Sequence, residues 1–199
     1  RVDREEAGPA DAAMARRLVD TASARLAGCD LLVLSDYGKG VLTPAALLPL
    51  IGAARAAGKP VLVAPQGRDF ARYAGATVIT PNRAERAVAA AAEVGDEARL
   101  AEVAAALRAR SGIDWLLTTL GGAGMLLQGA AERHRIPGIR REVYDVGGAG
   151  DTVLAVMAAL VAVACPGPAA AWLANLAGSL AAGRRGTADD GEAELRVEL

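Results

Sequence analysis

The sequence predicts an α/β fold with a mainly parallel central sheet. Apolar runs of three or four residues alternate with longer segments in which apolar residues recur every three or four positions, as in strands connected by helices. Hydrophobic residues make up 53% of the 199 positions and aromatic residues only 3%, so we expect a core built mainly from Ala, Leu and Val. The chain has no internal repeat and no low-complexity linker, and one domain over residues 1–199 is expected.

The elements of the first half follow from helix periodicity and from Pro and Gly positions. Apolar residues every fourth position predict a helix over residues 11–26. Thr43 followed by Pro44 predicts an N-cap and the start of a second helix, which runs toward Gly58. The apolar run at residues 31–34 predicts a buried strand, and short apolar runs bounded by Pro and Gly predict two more, at residues 61–63 and 77–79.

The second half continues the alternation and then becomes richer in glycine. Two Ala-rich helices are predicted after the third strand, the second beginning at Asp96, and a strand follows at residues 115–117. Glycines at 121, 122 and 124 predict a tight turn into another strand. A charged stretch with short extended segments leads to two closing helices, predicted at residues 149–163 and 169–182.

Charge and residue content exclude several classes of function. With 22 Lys and Arg against 23 Asp and Glu, the net charge of −1 favours neither nucleic acid nor an anionic membrane as a partner. The single histidine, His134, excludes zinc sites built on several histidines and is expected on the surface. The longest apolar run is shorter than the roughly 20 residues of a membrane helix. We expect a cytoplasmic protein in which Cys29 and Cys165 are reduced, small apolar fillers.

The most informative segment is DVGGAGD at residues 145–151. Its glycines let the backbone turn tightly and direct N–H groups out of the start of the following helix, where an anion binds. Asp151, in the first turn of that helix, is placed to accept a hydroxyl proton while the N–H groups stabilise charge on a transferring phosphoryl group. The alternative is a glycine-rich turn in which Asp151 only caps a helix.

Three other features each permit a structural or a functional interpretation. Asn82 and Glu85 form an N-x-x-E pattern, which by itself is a helix start with an Asn cap. The segment TLGGAG at residues 119–124 is also compatible with a simple hairpin turn. Asn175 interrupts an apolar helix, and if buried it requires either a ligand or a backbone group as its partner.

Asp36, Tyr37 and Lys39 follow the carboxyl end of a predicted parallel strand, where open α/β sheets bind ligands. A lysine at this position is suited to meet a substrate phosphate as a point charge. A turn with a solvated lysine is an equally good interpretation of these residues.

Together these segments resemble the ribokinase-like (PfkB) family of carbohydrate kinases. The family signature D-T-x-G-A-G-D is matched at residues 145–151, with Val146 in place of Thr. Within the family the chain is most similar to the D-glycero-β-D-manno-heptose 7-phosphate kinases of lipopolysaccharide-core assembly. The matching segments are LSDYGKG at 34–40, TPNRAE at 80–85, EVYDV at 142–146 and GT at 186–187. The resemblance implies a ribokinase-like three-layer αβα fold.

The resemblance also implies the reaction and its catalytic residues. The phosphoryl group of ATP would be transferred to a sugar hydroxyl. The substrate that the resemblance favours is heptose 7-phosphate, which would become the 1,7-bisphosphate. Asp151 would be the catalytic base, and the backbone of Gly148, Ala149 and Gly150 would form the anion hole.

Binding residues are implied in the same way. Asn82 and Glu85 would organise Mg²⁺ and its waters, with Glu85 as the metal carboxylate, and a monovalent cation would bind near Gly186 and Thr187. Asp36 and Lys39 would contact the sugar phosphate. The nucleotide would be contacted by Thr119, Gly121, Gly124 and Asn175.

Departures from the family define the alternatives. Heptose kinases usually read D-P-K-G where this chain has APQG at residues 64–67. The family's N-terminal strands and β-lid have no counterpart here, so we expect an uncovered sheet edge, to be paired in a homodimer or by another chain. A degenerate or fragmentary nucleotide-binding module without turnover of its own, and a PfkB kinase for another sugar, are the alternative functions.

Overall fold

A mixed sheet forms the centre of the computed structural model, which describes residues 8–90, 97–140 and 147–183. Its strands are β1 (Leu32–Ser35), β2 (Val61–Ala64), β3 (Val78–Ile79), β4 (Trp115–Thr119), β5 (Gly124–Gln128) and β6 (Arg133–Pro137). They lie side by side in chain order. Strands β1 to β4 are parallel, and β5 and β6 continue the sheet in antiparallel pairing. The predicted parallel sheet is confirmed and is extended by an antiparallel hairpin.

Helices cover both faces of this sheet. They are α1 (Ala12–Arg25), α2 (Pro44–Ala56), α3 (Arg83–Ala90), α4 (Glu97–Ser111), α5 (Ala149–Ala162) and α6 (Gly167–Ala182). Buried residues of α1 to α4 share one apolar cluster with one face of the sheet. Those of α5 and α6 form a second cluster on the opposite face. The three-layer αβα architecture is therefore confirmed.

Burial on both faces explains why the strands read as continuous apolar runs. Val61, Leu62 and Val63 are all fully buried, although they alternate between the two clusters. In β4, Leu116 packs with the α1–α4 layer and Leu117 with the α5–α6 layer. A strand covered by helices on both sides has no polar face, as expected for a parallel sheet.

The starts of α1 and α2 are capped differently. Asp11 caps α1, its carboxylate accepting from the backbone N–H of Met14 at 2.7 Å. Pro44 occupies the first turn of α2 as predicted. Thr43 precedes it with extended backbone, but its hydroxyl makes no hydrogen bond within the described residues. Thr43 therefore occupies the N-cap position without capping the helix through its side chain.

Cysteine placement corrects one expectation. Cys29 is exposed and was wrongly predicted as a buried filler, because it lies in the connection that follows the 3₁₀ turn Leu26–Gly28 and such connections run over the surface. Cys165 is half-buried against the α5–α6 layer. His134 is on the surface as expected, beside Glu132. In the described part of the chain, each helix is too short or too polar to cross a membrane.

Candidate active site

The start of α5 is an open, glycine-lined helix terminus. Gly148 is its N-cap and has a φ of 81°, a left-handed conformation that favours glycine. A Cβ at Gly148 or Gly150 would meet no atom within 4 Å, so the space beside the first turn is unobstructed. Asp151 is exposed in this turn. Asp145 and Val146 of the predicted signature lie outside the described residues.

Asp151 faces the loop that follows β1. The hydroxyl of Tyr37 donates to both carboxylate oxygens, at 3.3 Å from Oδ1 and 3.4 Å from Oδ2. Lys39 is exposed in the same loop. The fold therefore brings the predicted base together with the predicted substrate loop, which is 114 positions away in sequence.

The side chain of Asp36 is buried in the protein. Its carboxylate is buried and accepts at Oδ1 from the N–H of Gly38, at 2.8 Å, and at Oδ2 from the hydroxyl of Tyr73, at 2.7 Å. The guanidinium of Arg72 lies 3.6 Å from Oδ2. These contacts hold the loop in place, and a direct contact of Asp36 with substrate stays a prediction.

Tyr73 connects this loop to the one after β2. Its oxygen also accepts from the backbone N–H of Gln66 at 3.1 Å. Burial raises the pKa of the Tyr73 phenol well above its ordinary value, and the hydrogen bond to Asp36 adds to the rise. Because Gln66 is held through its backbone, the departure from the family at residues 64–67 leaves this anchor intact.

Asn82 and Glu85 form a reciprocal cap at the start of α3. The Asn82 side-chain oxygen accepts from the N–H of Glu85 at 2.9 Å, and Glu85 Oε2 accepts from the N–H of Asn82 at 2.8 Å. Burial raises the pKa of Glu85, an effect opposed by this hydrogen bond. Asn82 also forms an isolated parallel bridge with Thr119, which places the two predicted nucleotide segments side by side. The structural interpretation is confirmed, and the role in binding Mg²⁺ stays a prediction.

The glycine loop between β4 and β5 is a hairpin connection with two kinds of glycine. Gly124 has a φ of 93°, and a Cβ there would collide with the backbone of Ile136 and Gly138 in and after β6. Gly121 also has a positive φ, 60°, but its Cβ direction is open. Packing therefore requires Gly124, whereas no neighbouring atom lies within 4 Å of the Cβ position at Gly121.

Asn175 is 6% exposed and donates from Nδ2 to the backbone oxygen of Pro137 at 3.0 Å. A backbone group therefore satisfies this buried amide. Contact with adenine stays a prediction. The segment with Gly186 and Thr187 lies outside the described residues.

Two positioning residues were missed by sequence reasoning. Tyr73 has no motif around it, although a tyrosine in a chain so poor in aromatic residues, once buried, requires a partner for its hydroxyl. Gly178 of α6 lies so close to α5 that a Cβ would be 2.7 Å from Cγ2 of Val153. Its position in an Ala-rich helix carries no sequence signal for this approach.

Comparison with curated proteins finds close relatives. The chain is 50% identical to the bifunctional protein HldE of Caulobacter vibrioides over 192 residues, which cover 94% of this chain and 38% of that protein. It is 44% identical to the bifunctional protein HldE of Pelobacter propionicus, with 98% and 40% coverage. The chain thus spans about two fifths of the length of these relatives.

Solved structures share the fold at lower identity. Phosphofructokinase-2 of Escherichia coli in complex with potassium aligns with a TM-score of 0.78 and 17% identity, covering 90% of this chain and 60% of that one. Ribokinase of Arabidopsis thaliana complexed with ribose and ATP aligns with a TM-score of 0.74 and 19% identity, covering 84% and 54%. The profile of the pfkB family carbohydrate kinases matches residues 6–194. On that match and on the HldE relatives, the chain belongs to the pfkB family of carbohydrate kinases.

Proposed function

We propose that this chain supplies the catalytic base and nucleotide side of a kinase that transfers the γ-phosphoryl group of ATP to a sugar hydroxyl. The observation that carries the proposal is the arrangement around Asp151: an exposed carboxylate at a glycine-lined helix start, 3.3 Å from the hydroxyl of Tyr37. Membership of a carbohydrate kinase family supports the same chemistry.

The mechanism follows from the chemistry of these residues. The carboxylate of Asp151 accepts the proton of the sugar hydroxyl as that oxygen attacks the phosphoryl group. Backbone N–H groups at Gly148, Ala149 and Gly150 stabilise the charge that develops on the phosphoryl oxygens, aided by the positive end of the α5 dipole. Both contributions come from a single turn of helix, so the base and the anion site are positioned together.

The residues present fit ATP and Mg²⁺. No atom lies within 4 Å of the Cβ position at Gly121, Gly148 or Gly150, as close approach of a phosphate chain to each backbone requires. We propose that Thr119, Gly124 and Asn175 also contact the nucleotide.

Glu85 would hold the Mg²⁺, with Asn82 supporting it. No group of three or more His, Cys, Asp or Glu gathers within the described ranges. This still fits Mg²⁺, which retains several waters and takes one or two carboxylates together with phosphates. When bound, Mg²⁺ neutralises phosphate charge. A monovalent cation beside Gly186 and Thr187 is proposed from the family resemblance alone.

We propose D-glycero-β-D-manno-heptose 7-phosphate as the substrate and its 1,7-bisphosphate as the product. Support comes from the match to heptose kinases at residues 34–40 and from the exposed Lys39 beside Tyr37, a charge suited to the substrate's phosphate. The 50% identity to a protein named HldE is consistent with this choice.

The proposed partner follows from the position of β1. This strand is at one edge of the sheet in the described ranges, and Val33 is 40% exposed there. A strand edge with an exposed apolar side chain is a template for further pairing. We therefore propose that another segment or a second copy covers it.

The test is ADP release by the full-length protein, assayed with Mg-ATP and the heptose 7-phosphate. We expect sugar-dependent turnover that Asp151→Asn reduces by about a hundredfold to ten-thousandfold while ATP still binds, because only the base is lost. Fructose 6-phosphate and ribose are the control sugars. Turnover of one of these alone would support a kinase for another sugar, and ATP binding without turnover of any sugar would support the nucleotide-binding module.

A further inference from the structure

We infer that Tyr37 is a positioning residue for the catalytic base: its hydroxyl holds the Asp151 carboxylate in the orientation that receives the sugar hydroxyl. The inference rests on the proposed role of Asp151.

The contact geometry indicates orientation and not tight binding. The phenol oxygen lies almost equally far from Oδ1 and Oδ2 of Asp151, at 3.3 and 3.4 Å, so it draws the carboxylate as a whole toward the loop after β1 and leaves neither oxygen as its sole acceptor. Both distances exceed the roughly 2.7–2.8 Å typical of a hydroxyl–oxygen bond. A carboxylate has about four acceptor positions, so Asp151 can keep this contact and still accept from a sugar hydroxyl. The phenol therefore guides the base without blocking it.

The backbone of Tyr37 is fixed by its neighbours. Asp36, immediately before it, is anchored through both carboxylate oxygens to Gly38 and to the buried hydroxyl of Tyr73. The Tyr37 side chain itself is 61% exposed and contributes little to the core. Its hydroxyl can therefore be removed without unfolding the protein, which makes the inference testable.

The first measurement is steady-state kinetics of Tyr37→Phe in the full-length protein. We expect kcat with heptose 7-phosphate to fall about threefold to tenfold, as loss of one weak hydrogen bond predicts, with KM for ATP unchanged. The thermal unfolding midpoint should equal that of the parent protein. A kcat equal to that of the parent would overturn the inference.

The second measurement separates action through Asp151 from direct contact with the sugar. Binding of heptose 7-phosphate is measured by calorimetry in the parent, Tyr37→Phe, Asp151→Ala and the double variant. We expect Tyr37→Phe to weaken binding in the parent and to have no effect once Asp151 is Ala. Equal weakening in both backgrounds would refute positioning through the base.

The outcomes also distinguish this inference from the proposed function. If Asp151→Asn retains activity, the proposed base is wrong and the inference fails with it. If Asp151→Asn is inactive and Tyr37→Phe is fully active, the proposed function stands and only the role of Tyr37 is rejected.

Discussion

Two loops at the carboxyl edge of the sheet meet at one buried hydroxyl. Tyr73 donates to Asp36 in the loop after β1 and accepts from the backbone of Gln66 in the loop after β2. The cation of Arg72 lies over its ring, 5.4 Å from the centroid. Asp36 immediately precedes Tyr37, so the hydrogen bond from Tyr73 to Asp36 helps to position the residue that contacts the proposed base.

Tyr73→Phe is therefore expected to lower the free energy of unfolding by about 1–3 kcal/mol, because Asp36 Oδ2 and the Gln66 N–H lose a buried partner. The loss is measured by urea denaturation at neutral pH. Tyr37→Phe, which alters an exposed hydroxyl, is the matched control and should change the value by less than about 0.5 kcal/mol. Equal losses in the two variants would contradict the anchor role of Tyr73.

The same residue predicts a loss of stability at alkaline pH. The folded state raises the pKa of Tyr73 above its ordinary 10.0, so near that pH the unfolded chain releases the proton while the folded chain keeps it. Stability contributed by this group is therefore present below pH 10 and decreases as the pH rises beyond it. Denaturation midpoints measured from pH values below 10 to values above it should fall less steeply with pH for Tyr73→Phe than for the parent protein. Parallel pH curves would refute the prediction.

Glu85 allows the cap and the metal role to be separated. Glu85→Gln keeps an oxygen that can accept from the Asn82 N–H, so the free energy of unfolding should change by less than about 0.5 kcal/mol. Loss of the negative charge should nevertheless raise the Mg²⁺ concentration needed for half-maximal activity. The comparison variant is Asn82→Ala, which removes the cap and should cost about 1 kcal/mol. An unchanged Mg²⁺ requirement in Glu85→Gln would leave the carboxylate with a capping role alone.

At the scale of elements, close packing of α6 against α5 sets the position of the proposed active helix. Gly178 lies against Val153, within the first turns of α5 and only two residues after Asp151. A larger residue at 178 would push the two helices apart at the end that carries the base.

We expect Gly178→Ala to lower the free energy of unfolding by about 1–3 kcal/mol through overpacking, and Val153→Ala in the same chain to restore part of it. Gly52→Ala is the matched control: Gly52 is also a helical glycine, but its Cβ position is open, so Ala should stabilise by about 0.4–1 kcal/mol. Urea denaturation measures all three. A stabilising Gly178→Ala would show that the helices tolerate the extra methyl group.

The whole molecule is asymmetric about its sheet. The described structure has helices on both faces and a hairpin, β5 and β6, at one end, while β1 lies at the other end with Val33 exposed. Backbone groups on the outer side of an edge strand are free to pair with another strand unless charge or cover prevents it.

Val33→Lys should therefore reduce self-association of the isolated 199-residue chain, because a charge on an edge strand disfavours pairing with a second sheet. Light scattering against protein concentration measures the effect. Val41→Lys, at a position that is also exposed but outside any strand, is the control and should have little effect. Equal reduction by both variants would attribute the change to net charge and not to the β1 edge.

Local patterns determined much of this structure. Apolar runs of three or four residues predicted the parallel strands, and the order Thr43–Pro44 predicted the start of α2, because strand burial and helix initiation depend on neighbouring residues. The N-x-x-E pattern likewise predicted the cap that Asn82 and Glu85 form. The prediction that Cys29 is a buried filler was wrong because composition alone does not indicate which connection lies on the surface.

Contacts between distant segments were decided only by the tertiary structure. The sequence by itself determined that Asp151 lies in the first turn of a helix that follows a glycine turn, since the glycine pattern is local. It carried no information that Tyr37 meets this carboxylate at 3.3 Å, that Tyr73 anchors Asp36, or that Gly178 lies against Val153. Those distances arise from the packing of helices and loops on the sheet, and packing depends on residues far apart in the chain.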